Sequence, residues 1–442
     1  MHDVAGLGAG GPGADGGGAL PGGVREGAGA RARELGPPRR RAEAWKFTDA
    51  GHLTARPLAP RPPPAPALAG AATAQAGARG LAQDGPGCQV VVLDGRVVGV
   101  EGVGEAGVRV ECLGAGDGGL DVSGLGAASG SRGGVFAQLN SAGAPDAAVV
   151  DVPAGVAAAG PLHILYLSSP ADGEAGTATS CPRCLIRLGD GARLEVVEEF
   201  AALGGTDEGS YFVNAVTEIE LGVGAELRLT YVGDDAPRAT HIKGTYVNQA
   251  EDSNFSLLEA RVGGSLSRHE LDIDQQGPAT QTRMRHLLLA GDGQLHDLHS
   301  HLELAHVEGE ADQLHKCIAT HPSSRGVFDG SVNVGQQAQQ TDAGQLTKNL
   351  LLSKGATVNA KPNLKIIADD VACTHGCTVA ALDAEQIFYM KQRGISEEAA
   401  NSTLVQAFSN EILMEIPFPA LEKRVSGAVS QSLAGFVNAV TI

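Results

Sequence analysis

The chain has 442 residues with 51 acidic and 33 basic side chains, and its formal net charge at pH 7 is −18. So acidic a surface repels nucleic acid and anionic lipid, which argues against both as partners. No apolar run approaches the roughly 18 residues of a membrane span. Aromatic residues make up only 4% of the chain, so a core must be built from aliphatic side chains. The seven cysteines lack disulfide-framework spacing, which indicates free thiols in a reducing compartment.

Residues 1–41 are rich in Gly and Ala and end in the basic stretch "RARELGPPRRR". This composition predicts a disordered tail. It lacks the apolar core of a secretory signal, and Asp3, Asp15 and Glu26 argue against an intact transit peptide. Whether the tail is a remnant of a longer targeting sequence stays open.

Residues 42–147 are expected to form an N-terminal region of small elements. "AEAWKFTDAGHL" predicts a helical start around the sole tryptophan, Trp45, and a Pro-rich linker follows at 57–66. "CQVVVLDGRVVGV" predicts two strands joined by a turn at Asp94-Gly95.

Short alternating runs closed by glycine and polar residues fill 148–372. In "EIELGVGAELRL" the side chains of Ile219, Leu221, Leu227 and Leu229 recur at period two around one turn. Such spacing is typical of a sandwich, a barrel or a β-solenoid. The length of the region and its few aromatics favour a solenoid whose coils stack aliphatic ladders. The predicted fold is therefore mainly β, with a parallel β-helix core at 148–372.

Helical periodicity follows, and 373–442 is expected to be a C-terminal helical domain. Asp383 and Gln386 have capping-box spacing, and Gly394 suits the end of this first helix. Ser396 caps a second helix that ends before Pro417. A third helix is expected at 420–436.

Nucleotide and hydrolase motifs are missing from the sequence. It contains no G-x-x-x-x-G-K-[ST], no G-x-S-x-G and no H-E-x-x-H, and "LGVGAEL" lies inside a strand pattern. The chain is therefore expected to bind no nucleotide itself.

Two weaker metal candidates lie in the strand region. Seven histidines cluster between 286 and 321, and His299 and His301 would share one face of a strand and could share a metal. The alternative is a polar outer face of a coil. "CPRC" at 181–184 lacks the second pair that a structural zinc site needs.

The stretch "CTHGC" is a stronger candidate, because Cys373, His375 and Cys377 offer thiolates and an imidazole within five positions. These are the ligands of iron–sulfur and zinc sites. We expect them in a loop with Gly376, where strands give way to helices. Two or three ligands cannot close a four-coordinate site, so the stretch suits transient binding or completion by another chain.

Several stretches resemble the SufB/SufD family of the SufBCD iron–sulfur cluster assembly complex. They include "AWKFTD", "YFVNAVTEIELGVGAEL", "LDAEQIFYMKQRGIS" and the long run from "SSRGVFDG" to "DDVACTHG". The resemblance covers roughly 42–440, and "CTHG" followed by "LD" is more similar to the D subunit than to the B subunit. Cys377 departs from the family pattern, and so do "CPRC" and "QLHKCIATH".

The resemblance implies a right-handed parallel β-helix with helical ends, paired with a SufB-like paralogue through the β-helices. It also implies that the C-terminal helices dock a SufC-like ABC ATPase, which would supply the missing nucleotide site. The docking candidates are Asp383, Ile387, Phe388, Tyr389 and Met390. A transient iron–sulfur cluster would form between the two paralogues, with His375 as the matching ligand, Cys373 as a second candidate and Cys377 left open. Family members are plastidial in eukaryotes and cytosolic in bacteria.

Two other functional classes remain as alternatives. One is a purely structural subunit without a ligand role. The other is a β-helix carbohydrate enzyme, which needs clustered carboxylates. Asp272, Asp274 and Asp297 are its candidates, but nothing in the sequence groups them.

Overall fold

A computed structural model of the chain describes residues 22–39, 41–55, 57–81, 87–102, 107–113, 122–170, 177–205 and 209–440. The helices in these residues are α1 (Gly22–Leu35), α2 (His52–Ala55), α3 (Pro66–Arg79), α4 (Ala127–Arg132), α5 (Val135–Gly143), α6 (Ala384–Gln392), α7 (Glu397–Leu413) and α8 (Pro419–Val440). The short early strands are β1 (Leu58–Pro60), β2 (Cys88–Leu93), β3 (Arg96–Glu101), β4 (Arg109–Cys112), β5 (Ala148–Val152), β6 (Leu162–Ser168), β7 (Thr177–Ser180) and β8 (Arg183–Leu188). The longer strands that follow are β9 (Arg193–Ala202), β10 (Phe212–Leu221), β11 (Glu226–Asp235), β12 (Thr240–Gln249), β13 (Asn254–Gly263), β14 (Leu266–Gln275), β15 (Gln281–Ala290), β16 (Leu295–Leu304), β17 (Glu310–Ala319), β18 (Arg325–Val334), β19 (Thr341–Leu351), β20 (Thr357–Ile366) and β21 (Val371–Ala380).

The strands from β8 onward alternate between two facing sheets. Sheet one runs β20-β18-β16-β14-β12-β10-β8-β5-β4, and sheet two runs β21-β19-β17-β15-β13-β11-β9-β6-β2-β3. Consecutive strands within each sheet from β8 to β21 pair in parallel. Each pair of successive strands makes one coil, so β8 to β21 form seven turns of a solenoid. This confirms the predicted parallel β-helix.

Aliphatic ladders hold the coils together, as the period-two pattern predicts. Ile219, Leu221, Leu227 and Leu229 are all buried in the core between the sheets. Their counterparts in neighbouring coils stack on them at the spacing of hydrogen-bonded strands, about 4.8 Å. Each coil therefore buries its inward apolar side chains against the coils beside it.

One turn position recurs in six successive coils and fixes how the strands of sheet two begin. Its residues all adopt a left-handed conformation with φ between 55° and 65°. Each backbone N–H at this position donates to a carbonyl of the following coil over 2.6–3.1 Å. The residues are Gly191, Gly224, Asp252, Ala279, Glu308 and Gln340. Only the first two are glycines, although glycine has the lowest cost in this region.

The N-terminal region closes one end of the solenoid. The predicted hairpin is present as β2 and β3, which extend sheet two, and β4 pairs antiparallel with β5 of sheet one. Residues 22–35, predicted to be disordered, form α1 instead. Its Ala32 is buried, and Arg25 Nε donates to the carbonyl of Ala142 at 3.3 Å, so packing on α5 stabilises a sequence with weak helix propensity. Within the Pro-rich segment, β1 pairs with β7.

The C-terminal helices pack on the outer face of sheet two. Val405 and Ile412 of α7 and Leu421 of α8 join the apolar cluster that contains Leu289 and Ile318. Lys316 Nζ donates to the carbonyl of Phe408 at 2.7 Å and fixes α7 on the sheet. No helix among the described residues is long and apolar enough to cross a membrane.

Candidate functional site

Cys373, His375 and Cys377 lie on β21, the last strand of sheet two. The strand ends at Ala380, eight residues beyond the predicted boundary of the solenoid, so these residues belong to the solenoid and not to a loop before the helices. In register, Ala343 of β19 pairs with Cys373, Gln345 with His375 and Thr347 with Cys377. Pairing with β19 holds the segment extended, which the sequence of β21 alone did not show.

Gly376 lies within the strand and makes no turn. A Cβ atom at this position would lie 2.9 Å from Leu346 Cδ1, so glycine leaves room for the side chain of the neighbouring strand. Because the strand is unbroken, residues 373, 375 and 377 project to the same face. Cys377, which was expected in a loop with Gly376, therefore shares a face with His375 and Cys373.

The three side chains grade from half-buried to exposed along the strand. Cys373 packs against the core of the solenoid, and this burial raises the pKa of its thiol. His375 and Cys377 are exposed. Their register partners on β19 lie on its buried inward face, where Ala343, Gln345 and Thr347 are each at most 2% exposed. The set therefore lies at the open end of the solenoid interior.

The geometry does not close a metal site within the chain. Alternate residues of a strand are about 7 Å apart, so Cys373 and Cys377 are separated by about 13 Å. Across the described ranges, no group of three or more His, Cys, Asp or Glu residues is arranged to hold a metal ion. The strand presents a row of separate candidate ligands, of which His375 and Cys377 are exposed and Cys373 is half-buried.

The histidine cluster separates into two environments. His286, His296 and His315 are fully buried inside the solenoid, and burial lowers the pKa of His296 to about 3. His299 and His301 lie on the opposite face of β16, as their spacing predicts. The ring of His299 is 3.1 Å from Asp297 and that of His301 is 3.6 Å from Glu303, so each is paired with a carboxylate and the two do not form a shared ligand set.

The "CPRC" thiols lie in the core. Cys181 and Cys184 are buried, and burial raises the pKa of Cys181 to about 12 and that of Cys184 further still. Thiols of this kind stay protonated, whereas metal ligation and redox exchange need thiolates. The structure therefore favours a packing role for this pair.

The carboxylates of the carbohydrate-enzyme alternative are held in ion pairs. Arg132 of α4 lies 3.0 Å from Asp272 and 3.4 Å from Asp274. Asp297 pairs with Arg268 at 2.5 Å and accepts a hydrogen bond from Thr48. These contacts attach N-terminal elements to sheet one, and each of the three candidate carboxylates is paired with an arginine.

Helix α6 begins close to β21 and carries the docking candidates. Asp383 caps it by accepting a hydrogen bond from the Glu385 N–H at 2.8 Å. Phe388 is 64% exposed and Tyr389 60%, while Ile387 and Met390 are half-buried. Two adjacent rings this exposed are unusual for a helix packed only on its own chain.

Comparison with known proteins identifies the family. The family model described as "SUF system FeS cluster assembly, SufBD core domain" matches residues 171–408. The chain belongs to the SufB/SufD family. This match includes most of the solenoid, the candidate ligands and the docking helix.

Three SufB/SufD relatives show how far the similarity extends. Protein ABCI7, chloroplastic, of Arabidopsis thaliana is 40% identical over 291 residues, which are 64% of this chain and 60% of that protein. A SufBD family protein of Synechocystis is 38% identical over 67% of this chain and 66% of its own length. The iron–sulfur cluster assembly protein SufD of Escherichia coli is 31% identical over 68% of this chain and 70% of its own. The chain thus spans about 60–70% of these relatives, and membership of the family supports a role in iron–sulfur cluster assembly.

Sequence reasoning missed the polar residues beneath the ligand row of this SufB/SufD chain. Gln345 and Thr347 lie one coil below His375 and Cys377, and Gln313 lies one coil further. The only signal in the sequence is a 30-residue offset between Gln345 and His375, and it has meaning only once the length of the coil is known.

Proposed function

We propose that the protein is a non-catalytic scaffold subunit of an iron–sulfur cluster assembly complex. In this proposal it pairs with a SufB-like paralogue, contributes ligands to a transient cluster between the two chains, and docks a SufC-like ABC ATPase. The observation that carries the proposal is the position of Cys373, His375 and Cys377, which form a row of soft ligands on an edge strand. The relatives named above support it through their assignment to cluster assembly.

The ends of both sheets support pairing through the solenoid. β20 pairs only with β18 and β21 only with β19, so within the described residues their outer edges have no partner strand. Exposed aliphatic side chains lie beside these edges at Ile366, Ile367 and Val379. Unpaired backbone groups next to apolar surface are a template for another chain's strands. A paralogue with the same coil cross-section would continue both sheets at once.

The proposed cluster site is a composite of two chains. His375 supplies one imidazole nitrogen, and Cys373 is a second candidate from this chain. Cys377 lies on the same face, and its thiol is free and exposed. The partner would supply the remaining ligands, since one strand cannot surround an iron atom. The cluster is cargo, built there and passed on.

The proposed ATPase site is the exposed surface of α6 with the adjoining part of α7. Phe388 and Tyr389 offer aromatic anchors of the kind that dominate interface energies. ATP would bind to the partner, and this chain would supply the docking helix. The cellular location proposed is the plastid stroma if the source is an alga or plant, and the cytoplasm otherwise. The chloroplastic relative supports the first alternative.

Co-expression with the B-like and C-like subunits of the same source tests the proposal. Anaerobic purification followed by size-exclusion chromatography should yield one complex containing all three proteins, with iron and acid-labile sulfide. A chain that elutes alone would contradict the scaffold role. A stable complex whose iron and sulfide are unaffected when both Cys373 and His375 are replaced by Ala would favour the purely structural alternative.

A further inference from the structure

A row of buried polar side chains runs through the solenoid interior toward β21. Glu259, His286, His315, Thr347 and Cys377 occupy the same inward position in successive coils of sheet two. The adjacent inward position holds Met284, Gln313, Gln345 and His375. Except for the exposed ends at β21, these side chains are at most 2% exposed. Such groups are costly to bury unless they are hydrogen-bonded, so their contacts can be followed one by one.

The row begins at a buried carboxylate. Glu259 Oε2 lies 3.1 Å from His269 Nδ1 and 2.6 Å from His286 Nδ1. Burial alone would raise the pKa of Glu259, but the charge of Arg261 and the histidine contacts outweigh it and hold the pKa well below its usual range. Glu259 is thus an acceptor, and His286 must donate to it from Nδ1.

This contact sets the direction of the next hydrogen bonds along the row. With its Nδ1 donating to Glu259, His286 faces Gln313 Nε2 with its other ring nitrogen, Nε2, at 3.2 Å and accepts from that amide. Gln313 therefore presents its amide nitrogen to His286, and its Oε1 faces the next coil. Gln345 Nε2 donates to that oxygen at 2.9 Å. The donor end of Gln345 is consequently directed into the solenoid.

The acceptor end of Gln345 is left without a partner. Gln345 is 2% exposed, and its Oε1 is buried and makes no hydrogen bond to the described residues. An unsatisfied buried acceptor costs about 1–3 kcal/mol. The residue paired with Gln345 on the outer side is His375, and paired residues of parallel strands have their side chains on the same face, about 4.8 Å apart.

A histidine that ligates through one nitrogen needs an acceptor for the N–H of the other. We propose that Gln345 is the positioning residue for His375, because its buried and unpartnered Oε1 accepts the ring N–H of the nitrogen that does not ligate. This inference rests on the proposed ligand role of His375. The row back to Glu259 holds the Gln345 amide in the orientation that makes Oε1 the available atom.

The first measurement uses the metal-free full-length chain with reduced thiols and ¹⁵N-labelled histidine. The ring N–H signal of His375, assigned with His375→Ala, should exchange slowly with water in the wild type. It should be lost to fast exchange in Gln345→Leu and retained in Gln345→Glu, which keeps an oxygen at this place. Gln345→Met replaces the Leu variant if that variant does not fold.

Asn349→Leu is the matched control. Asn349 lies on the same face of β19, is 2% exposed and also has an unpartnered side-chain oxygen, but its register partner is Val379, which has no side-chain donor. This variant should leave the His375 signal unchanged. Equal exchange of the His375 N–H in the wild type and in Gln345→Leu would overturn the proposal. Equal loss of the His375 N–H signal in Gln345→Leu and Asn349→Leu would overturn it as well.

A second measurement separates this inference from the proposed function. Titration of the same chains with Co²⁺, followed by its visible absorption, should show binding that His375→Ala abolishes. Loss of the positioning acceptor should weaken that binding by about 10- to 100-fold in Gln345→Leu. If the N–H result holds but the wild type binds no Co²⁺ through His375, Gln345 still positions the ring and the ligand role fails. If Co²⁺ binds equally in wild type and Gln345→Leu, the positioning role fails and the ligand role stands.

Discussion

Arg424 of the last helix, α8, lies 2.9 Å from the buried carboxylate of Glu199 in sheet two. Arg79 of α3 reaches the other oxygen of Glu199 at 2.8 Å, and His163 of β6 lies at 3.0 Å. One carboxylate therefore ties an N-terminal helix, the solenoid and the C-terminal helices together. Burial alone would raise the pKa of Glu199, but the hydrogen bond from His163 and the charges of Arg424 and Arg79 outweigh it and lower the pKa to about 2.

This contact predicts a specific pH dependence of stability. Since the folded-state pKa of Glu199 is lowered, its stabilising effect is complete at pH values above the unfolded-state pKa and is lost as the pH falls from about 4.5 to about 2. At neutral pH Glu199→Gln should lower the free energy of unfolding by about 3 kcal/mol, as expected for this shift in pKa. Urea unfolding of both chains at several pH values should show the difference disappearing in that window. Glu195→Gln, a more exposed site on the same strand, should show no such effect. A constant difference down to the lowest pH would contradict the account.

The exposed aromatic pair on α6 predicts the effect of a charge on ATPase docking. Phe388→Asp should weaken binding of the C-like ATPase by on the order of 100-fold, because a buried anchor is replaced by a solvated carboxylate. Co-purification with the B-like partner should persist. Val223→Asp, at a 46% exposed solenoid turn, is the control and should bind the ATPase normally. If Phe388→Asp binds the ATPase at the normal level, α6 is not part of the interface.

The open sheet edges predict where a charge blocks pairing with the paralogue. Val379→Glu places a carboxylate on β21, where a partner strand would approach, and should reduce heterodimer formation in size-exclusion chromatography. Val307→Glu introduces the same change at a turn in the middle of the solenoid, where the valine is 42% exposed against 44% for Val379. The control should pair normally. Equal pairing by the two variants would show that the partner binds elsewhere.

The burial of the seven cysteines predicts their order of reaction with a thiol reagent. Cys377 is exposed and should be alkylated first under native conditions. Cys88, Cys181, Cys184 and Cys317 are buried, and burial raises the pKa of each thiol, so they should react only after unfolding. Peptide mass spectrometry at short reaction times measures the order. Early labelling of Cys181 or Cys184 would show that the "CPRC" segment opens in solution.

The sequence predicted the class of fold because the apolar period of the strands does not depend on the turns. It did not show a clean repeat, and the turns explain why. The left-handed position filled by Gly191 and Gly224 is filled by Asp252 in the next coil and by other residues after it. The pattern L-G-x-G-A-x-L, which residues 188–194 and 221–227 share, therefore occurs only twice. Register shows that coil length also varies, from 33 residues between Arg193 and Glu226 to 26 between Thr240 and Leu266.

The candidate ligands were predictable by residue type and by resemblance, but their placement was not. "VACTHGCTVA" has no apolar alternation, and Gly376 suggested a turn. Pairing with β19 overrides both signals, and it also places His375 in register with Gln345. Such contacts between coils depend on register, which a single strand does not encode. Helix α1 was not predicted either, because its weak helix propensity is overcome by packing on α5, a contact between distant parts of the chain.

The most direct test of the account is the iron and sulfide content of the co-expressed complex with His375→Ala. The variant should fold and assemble normally, since the ring is exposed and contributes little packing energy. Bound iron and sulfide should fall by on the order of tenfold, with a smaller loss for Cys373→Ser, the least for Cys377→Ser and none for His299→Ala. Normal cluster content in His375→Ala, together with a loss in His299→Ala, would move the ligand site to the histidines of β16 and contradict the account.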